Sequence, residues 1–303
     1  MGMLIAGQWC DQDDIIIDGA YQRNLSNCRA EIEPNDIIGY PGRFHLIASW
    51  SCPWSHRTML IRQLQGLAAY VPLHVTGGKK VQGYAADHGN SWQVPGSQIN
   101  ILHLHQLYCL NDANYTGRST VPILWDSHQQ KIISNESTHI MQIFEQLVTP
   151  QNSHFAPSQW VPSHLKEAIE KLNAQIYSQL SNAVYRAGFA QSQAAYDKAV
   201  HSVFTMLDRL NTRLATSRYL MGNVVTQADW LLFPTLVRFD IDYYLHSRCT
   251  MSKLTDYKHL FKYARALFNM PGIADTVNFG AIHKSNYQNS QILPVMPDVD
   301  WSN

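Results

Sequence analysis

The cysteine at position 52 is the residue of this sequence best suited to covalent chemistry. It stands in the stretch SCPWSHRTML, between an apolar segment typical of a strand and a periodic segment typical of a helix. Pro53 suits the first helical turn, where no backbone N–H is needed. The positive end of that helix would face the sulfur and favour the thiolate over the thiol, with Arg57 and His56 adding positive charge nearby. The pattern therefore predicts a nucleophilic cysteine.

Ser55 follows Cys52 in a C-x-x-S arrangement, at the position where a resolving cysteine stands in a C-x-x-C motif. A mixed disulfide on Cys52 would therefore need an external thiol to resolve it, and the commonest one in a cytoplasm is glutathione. The Ser55 hydroxyl would also be placed to hydrogen-bond the thiolate. The alternative is that Cys52 packs as a small buried apolar residue, which is the commoner fate of a lone cysteine.

Two further segments suit a substrate with a peptide-like backbone. In STVPILW, the Val121–Pro122 step predicts extended backbone, and in a thioredoxin-like sheet a cis proline would expose the backbone of Val121 to a short peptide. In SNES, Glu136 and Ser137 open a helix and would bind the α-amino and α-carboxylate ends of a γ-glutamyl group. The alternative is that these two residues only cap the helix. Together with Cys52 they indicate a glutathione site.

The segments that carry these residues predict an α/β domain followed by an all-α domain. Apolar periodicity predicts a strand, a helix and a strand in one βαβ unit, then an insertion with loop chemistry, a short helix, two strands and a helix. After a proline-rich linker, every segment has a helical period, and Thr226 and Asp229 form an acidic capping box before an apolar run.

The predicted strands are 42–49, 70–75, 119–126 and 130–134, and the predicted helical segments are 52–67, which ends near Gly66, and 135–147. The predicted domain organisation is an N-terminal extension over 1–40, the α/β domain over 41–150 with the insertion at 76–100, the linker over 151–163 and the helical domain over 164–303.

Composition and charge narrow the function classes. The chain has 303 residues, with 23 Lys and Arg against 23 Asp and Glu, and no basic patch, which argues against nucleic acid as the partner. The first residues, MGMLIAGQWCDQDD, lack a basic segment and reach acidic residues before an apolar run develops, so we expect no secretory signal. No stretch approaches the roughly 18 apolar residues of a membrane span, so we expect none. The five cysteines are odd in number and never paired as C-x-x-C, and the fourteen histidines lack metal-site spacing. We expect free thiols in a cytoplasm and no metal site.

Several blocks of the sequence resemble the glutathionyl-hydroquinone reductases, the xi class of the glutathione transferases. These are SCPWSHRTML, YTGRSTVPILWD, IISNES, NAVYRAGFAQSQAAYDKAV, TQADWLLFPTLVRFD and NMPGIADTVNF. C-P-W-x-H-R and the V-R-F-D block are specific to this class, whereas T-V-P and E-S are shared by the superfamily. The resemblance implies a thioredoxin-like N-terminal domain, an all-helical glutathione-transferase C-terminal domain, a homodimer, and glutathione as co-substrate with aromatic hydroquinone conjugates.

The resemblance also implies roles for individual residues. Cys52 would attack the sulfur of a glutathionyl-hydroquinone, and Tyr185 and Tyr287 would line the hydroquinone pocket, where we infer that a phenol assists protonation at the ring carbon. Each tyrosine would otherwise be a packing residue, as we expect for Tyr196, Tyr243 and Tyr244. The residues implied to bind glutathione are Trp92, Arg118, Val121, Glu136 and Ser137. Trp92 would otherwise cover the core.

The sequence departs from the family at Ser55, where the motif usually has alanine, and in the spacing of the insertion. Three other functions remain open. A thiol transferase of omega or glutaredoxin type would reduce glutathione mixed disulfides or dehydroascorbate with the same cysteine. A non-catalytic binding protein would have an inert Cys52. A conjugating transferase fits least, because a catalytic cysteine tends to form a mixed disulfide with glutathione.

Overall fold

The computed structural model of the chain describes residues 2–11, 15–22, 28–149, 157–288 and 290–302. The chain divides into two compact units, one made of 1–14, 24–154 and 287–291, the other of 15–23, 155–286 and 292–303. The N-terminal extension expected over 1–40 is thus shared between the two units, and 287–291 groups with the first unit. Residues 151–156 of the linker predicted at 151–163 lie outside the described residues; the described part, 157–163, begins with a short helix over Pro157–Trp160.

The strands of the described residues are β1 (Met3–Ile5), β2 (Gln8–Cys10), β3 (Ile15–Ile17), β4 (Ala20–Gln22), β5 (Phe44–Ala48), β6 (Leu73–Val75), β7 (Trp92–Gln93), β8 (Asn100–Ile101), β9 (Ile123–Asp126) and β10 (Lys131–Ser134). The α-helices are α1 (Asp36–Gly39), α2 (Pro53–Leu64), α3 (Leu104–Asn111), α4 (Ser137–Glu145), α5 (Pro157–Trp160), α6 (Lys166–Ile176), α7 (Ala183–Phe189), α8 (Gln193–Leu214), α9 (Gln227–Leu236), α10 (Lys258–Phe268) and α11 (Phe279–Ser285).

The first unit is built on a four-stranded sheet in the order β10–β9–β5–β6. β5 and β6 are parallel and are connected through α2, which confirms the βαβ unit, while β9 is antiparallel to both β5 and β10. α2 and α4 pack against each other, and α3 contacts β10. This mixed sheet with its helices has the predicted thioredoxin-like character and carries Cys52 at the end of β5.

The helix after Cys52 ends close to the predicted position. The segment 52–67 was predicted to be helical with its end near Gly66; α2 ends at Leu64, and a separate 3₁₀ turn covers Leu67–Ala69. Between them, Gly66 has a φ of 63°, a left-handed conformation that glycine adopts without steric cost. The insertion was also predicted as loop throughout, but its chain pairs as the short antiparallel hairpin of β7 and β8.

One ion pair ties the ends of two central strands together in the first unit. Asp126, at the end of β9, is fully buried and accepts hydrogen bonds from the Arg43 guanidinium at Nε and Nη2, the shortest at 2.6 Å. This bidentate pair lowers the pKa of the Asp126 carboxyl, despite the opposing effect of burial. This ion pair therefore stabilises the sheet that positions Cys52.

The second unit is helical, as expected, with one addition. It contains α5 to α11, and two π-helical turns, Tyr177–Ser181 and Phe239–Tyr243, continue α6 and follow α9. The addition is the β3–β4 hairpin, whose Tyr21 packs its ring 5.2 Å from that of Phe189 in α7. The predicted capping box of α9 is present, with the Asp229 carboxylate accepting from the backbone N–H of Thr226 at 2.8 Å.

A search of the described helices found none with the length and hydropathy that a membrane crossing requires.

Candidate functional site

Cys52 lies where strand β5 gives way to helix α2, as the sequence predicted. It is the N-cap residue of α2, with φ −86° and ψ 118°, and Pro53 occupies the first helical position. The backbone N–H of Ser55 points at Cys52 Sγ, at a distance of 3.5 Å. Because this N–H has no partner within the helix, it is available to a sulfur that carries negative charge. The residue is buried, with 7% of its surface exposed.

The second component of the site is the segment before β9. The Val121–Pro122 peptide bond is cis, as expected for a thioredoxin-like sheet. The Cys52 thiol donates a hydrogen bond to the Val121 carbonyl oxygen at 3.5 Å, across 69 positions of sequence. Cys52 and the backbone of Val121 are therefore brought together.

Ser55 meets the Cys52 sulfur through its backbone N–H. We expected the Ser55 hydroxyl to hydrogen-bond the thiolate; in the structure Cys52 is a thiol that donates to Val121, so this expectation stays a prediction. The residue is fully buried, and its Oγ has no hydrogen-bond partner among the described residues. The next two residues, His56 and Arg57, are also buried, and the Arg57 guanidinium lies over the Trp54 ring at 4.4 Å.

Glu136 and Ser137 open helix α4, and the capping interpretation is realised in the structure. The Glu136 carboxylate accepts from the backbone N–H of Thr138 at 3.0 Å and of His139 at 2.8 Å. The Ser137 hydroxyl lies 3.5 Å from Glu136 Oε1. Each carboxylate oxygen has further lone pairs, so capping does not prevent Glu136 from accepting a bond from a ligand.

Tyr108 joins the two segments that sequence reasoning had treated separately. Its hydroxyl donates to the Thr120 carbonyl at 2.8 Å and accepts from the Thr120 N–H and from Asn135 Nδ2, each at 3.2 Å. The ring is fully buried, and burial raises the pKa of the hydroxyl above its ordinary value. Tyr108 thereby holds the residue before Val121 and the residue before Glu136 in fixed relation. The sequence offered one signal for this role: a tyrosine on the apolar face of a predicted helix becomes buried, and its buried hydroxyl needs a hydrogen-bond partner.

Trp92 and Arg118 are half-buried in the first unit. The Trp92 ring meets the edge of His74 at 5.2 Å, and His74 Nε2 is 2.9 Å from His45 Nδ1. Burial and the neighbouring His74 lower the pKa of His45 to about 4. The Arg118 carbonyl accepts from the Tyr115 hydroxyl at 3.2 Å. Among the contacts described for these residues, none joins Trp92 to Cys52, so the role of Trp92 in glutathione binding stays a prediction.

The two tyrosines assigned to the hydroquinone belong to different units. Tyr185 in α7 is half-buried, stacks on Phe189 at 6.4 Å and meets Tyr243 edge-on at 6.2 Å. Burial and the nearby Tyr185 raise the pKa of Tyr243 well above its ordinary value. Tyr287 groups with the first unit, where its carbonyl accepts from the Ser290 N–H at 2.9 Å. Their catalytic roles stay predictions.

Cys52, Val121 and the start of α4 provide a sulfur at a helix N-terminus, backbone polar groups beside it and a second helix N-terminus that is capped by Glu136. Such a set of groups can carry thiol chemistry. Within the described part of the chain, no group of three or more His, Cys, Asp or Glu side chains is arranged to hold a metal ion.

Two family models match the chain. The glutathione S-transferase N-terminal domain covers residues 51–147, and the glutathione S-transferase C-terminal domain covers 193–266. The first match begins one residue before Cys52 and contains the cis Val121–Pro122 bond and α4. The predicted fold, a thioredoxin-like domain with an all-helical glutathione-transferase domain, is thereby confirmed.

Relatives that match the chain over nearly all of its residues narrow the family assignment to one class. The chain is 37% identical to glutathionyl-hydroquinone reductase YqjG of Escherichia coli K12, over 97% of this chain and 92% of the relative. The glutathione-bound structure of YqjG matches with a TM-score of 0.81 at 34% identity, covering 100% of this chain and 97% of that one. The glutathione S-transferase Xi of Phanerochaete chrysosporium matches with a TM-score of 0.83 at 32% identity, covering 92% and 93%. With C-P-W-x-H-R at the start of α2 and this similarity along its whole length, the chain belongs to the glutathione S-transferase family and, within it, to the xi-class glutathionyl-hydroquinone reductases.

Proposed function

We propose that this protein is a glutathione-dependent reductase that removes glutathione from glutathionyl-hydroquinones. The observation that carries the proposal is the position of Cys52, at the N-terminus of α2 and against the backbone of Val121. The name of the Escherichia coli relative, a glutathionyl-hydroquinone reductase, supports the substrate class. The glutathione-bound structure of that relative supports glutathione as the co-substrate.

In the first half-reaction, the Cys52 thiolate attacks the sulfur of the conjugate. A bond forms between the two sulfurs, and the bond between the glutathione sulfur and the aromatic ring breaks. The electron pair of that bond goes to the ring carbon, which takes a proton, so that hydroquinone leaves and Cys52 is bonded to glutathione. The cysteine sulfur and the glutathione sulfur are each oxidised by one electron to the disulfide level, and the ring carbon is reduced by two electrons.

In the second half-reaction, the thiolate of another glutathione attacks the glutathione sulfur of the mixed disulfide. Oxidised glutathione leaves, and the electron pair of the broken S–S bond returns to Cys52 as a thiolate. Ser55 stands where a resolving cysteine would otherwise act, so the external thiol is required.

Glutathione binding is assigned to residues around this sulfur. The backbone of Val121 pairs with the cysteinyl part of glutathione in the manner of an added strand. Glu136, Ser137 and the N-terminus of α4 bind the γ-glutamyl end: the Glu136 carboxylate, which also caps the helix, accepts from the α-amino group, and the α-carboxylate meets the Ser137 hydroxyl at the positive end of the helix. Trp92 and Arg118 are assigned to the same ligand by their family positions alone.

The ring chemistry is assigned to Tyr185 and Tyr287. A phenol that donates to the hydroquinone oxygen, or delivers a proton to the ring carbon, lowers the barrier to breaking the carbon–sulfur bond. The neighbouring Tyr243, with its raised pKa, stays protonated and keeps Tyr185 beside a neutral hydroxyl. We also propose a cytoplasmic homodimer, in keeping with the family and with free cysteines.

The decisive experiment is steady-state reduction of glutathionyl-menadiol with glutathione, for the wild type, Cys52→Ala and the control Cys10→Ala. We expect turnover in the wild type and the control, and none in Cys52→Ala.

The second candidate, a disulfide-reducing thiol transferase, is favoured by the same solitary cysteine of the C-x-x-S motif. Faster turnover of a small glutathione mixed disulfide or dehydroascorbate than of glutathionyl-menadiol would replace the reductase with that transferase.

A further inference from the structure

The Ser55 hydroxyl is buried beside the reactive sulfur without a hydrogen-bond partner. Ser55 is 0% exposed, and its Oγ has no partner among the residues that the structure describes. A hydroxyl removed from water without a replacement bond is unfavourable, and such groups are few in folded proteins. The neighbouring Thr58 hydroxyl differs in this respect, because it donates to the Ser55 carbonyl at 2.8 Å. The free Ser55 hydroxyl therefore needs an explanation.

The position of Ser55 brings its side chain within reach of Cys52. The Ser55 backbone N–H is 3.5 Å from Cys52 Sγ. Residues three apart at a helix N-terminus lie on one face, and in C-x-x-C motifs this spacing permits a disulfide. Rotation about the Cα–Cβ bond of Ser55 can then direct its hydroxyl at the sulfur.

The hydrogen-bonding role of the sulfur changes when it ionises. As a thiol, Cys52 is a donor, and its S–H bonds the Val121 carbonyl. As a thiolate it has no proton to donate and becomes a strong acceptor. We propose that the Ser55 hydroxyl is the donor that this thiolate recruits: it is unpaired while Cys52 is a thiol or a mixed disulfide, and paired while Cys52 is a thiolate.

The hydrogen bond from Ser55 to the thiolate would affect both half-reactions of Cys52. This inference rests on the proposed function, in which Cys52 is the nucleophile. In the second half-reaction the S–S bond breaks and its electron pair goes to Cys52, where the Ser55 O–H stabilises the leaving thiolate. A more stable thiolate leaves faster but attacks somewhat more slowly, because nucleophilicity falls with basicity. The Ser55 hydroxyl thereby speeds the resolution of the mixed disulfide. It also raises the fraction of Cys52 that is thiolate at neutral pH.

The test is the rate of Cys52 alkylation by iodoacetamide as a function of pH, in the wild type, Ser55→Ala and the matched control Thr58→Val. In Ser55→Ala we expect the midpoint of the profile to rise by about one pH unit, the effect of losing one bond to a charged group. At the alkaline plateau the Ser55→Ala rate should equal or exceed that of the wild type, because its thiolate is more basic. Thr58→Val should keep the wild-type midpoint. A midpoint that does not move in Ser55→Ala overturns the proposal, whatever the height of the plateau.

A second variant tests the geometry separately. Ser55→Cys, oxidised mildly, should form an intramolecular disulfide with Cys52, detected by mass spectrometry as the loss of two hydrogens. A folded Ser55→Cys protein that forms no such bond would show that side chain 55 does not reach the sulfur, which also overturns the proposal. Neither measurement needs a hydroquinone substrate, so a failure of the reductase assay leaves both results interpretable.

Discussion

The Cys52 thiol donates its proton to the Val121 carbonyl oxygen, at an Sγ–O distance of 3.5 Å. This contact links the predicted nucleophile to the backbone that is predicted to bind the peptide part of glutathione. Ionisation of the thiol removes this donor, which leaves both lone pairs of the Val121 carbonyl oxygen to accept from N–H groups of the incoming ligand. The same hydrogen bond therefore connects the protonation state of the sulfur with the predicted binding edge.

Removal of the Tyr108 hydroxyl should weaken glutathione binding. Tyr108→Phe leaves the Thr120 backbone and the Asn135 amide without their shared partner, at a cost of about 1–3 kcal/mol in the free energy of unfolding. Because the segments before Val121 and Glu136 are then no longer held together, we expect the KM for glutathione to rise several-fold. Steady-state kinetics and thermal unfolding measure both effects.

The control for Tyr108→Phe is Tyr196→Phe, which loses a single bond of 2.8 Å from the hydroxyl to the Arg248 carbonyl in the second unit. It should lower stability without changing the KM for glutathione. Equal KM values for Tyr108→Phe and the wild type would mean that Tyr108 contributes to stability only.

Glu136 should have two separable roles. In Glu136→Gln one carboxylate oxygen that accepts a helix N–H is replaced by a donor, so we expect a loss of about 1 kcal/mol in stability. If the carboxylate also binds the α-amino group of glutathione, the Kd for glutathione should rise about tenfold, as expected for a charge-assisted bond. Calorimetric titration with glutathione measures this directly.

Ser192→Ala is the matched control for Glu136→Gln, because it also removes a helix cap: Ser192 Oγ accepts from the Ala195 N–H at the start of α8. That variant should lose similar stability and keep the wild-type Kd. If Glu136→Gln also keeps the wild-type Kd, Glu136 is only a helix cap.

Alkylation should distinguish Cys52 from the other thiols. Burial raises the pKa of Cys28 to about 11 and that of Cys249 to about 12, so both are almost fully protonated near neutral pH. We expect iodoacetamide to modify Cys52 long before Cys28 and Cys249, as measured by peptide mapping. After denaturation with urea the three should react alike. Modification of Cys249 at the rate of Cys52 in folded protein would contradict the assignment of Cys52 as the reactive thiol.

Acid should destabilise the protein through His45. Burial, together with His74, lowers the pKa of His45 from 6.5 to about 4 in the folded state. The unfolded chain therefore binds the proton first, so stability declines as the pH falls below 6.5 and the contribution of His45 levels off near pH 4. In His45→Gln the melting temperature should fall less over this interval than in the wild type.

His128→Gln removes an exposed imidazole and serves as the comparison for His45→Gln. An equal decline of the melting temperature in His45→Gln and the wild type would show that His45 is not the group responsible.

Local patterns in the sequence were sufficient for much of the molecule. The strand-to-helix junction at Cys52, the capping box at Thr226 and the helical period of the second unit all depend on neighbours within a few residues, so they can be recognised without a structure. The end of the helix after Cys52 was predicted near Gly66, whose left-handed conformation follows the last helical residue, Leu64, by two positions.

Only the tertiary structure decided how these elements meet. The bond between Cys52 and Val121 spans 69 positions, and Tyr108 bonds Asn135 across 27. No sequence period encodes such contacts, because they depend on strand order and on the packing of helices against the sheet. For the same reason, the packing of Trp92 on His74 and the unpaired Ser55 hydroxyl could not be inferred from the chain. Residue types and spacing predicted that Cys52 is a nucleophile, and the folded chain decided which groups surround it.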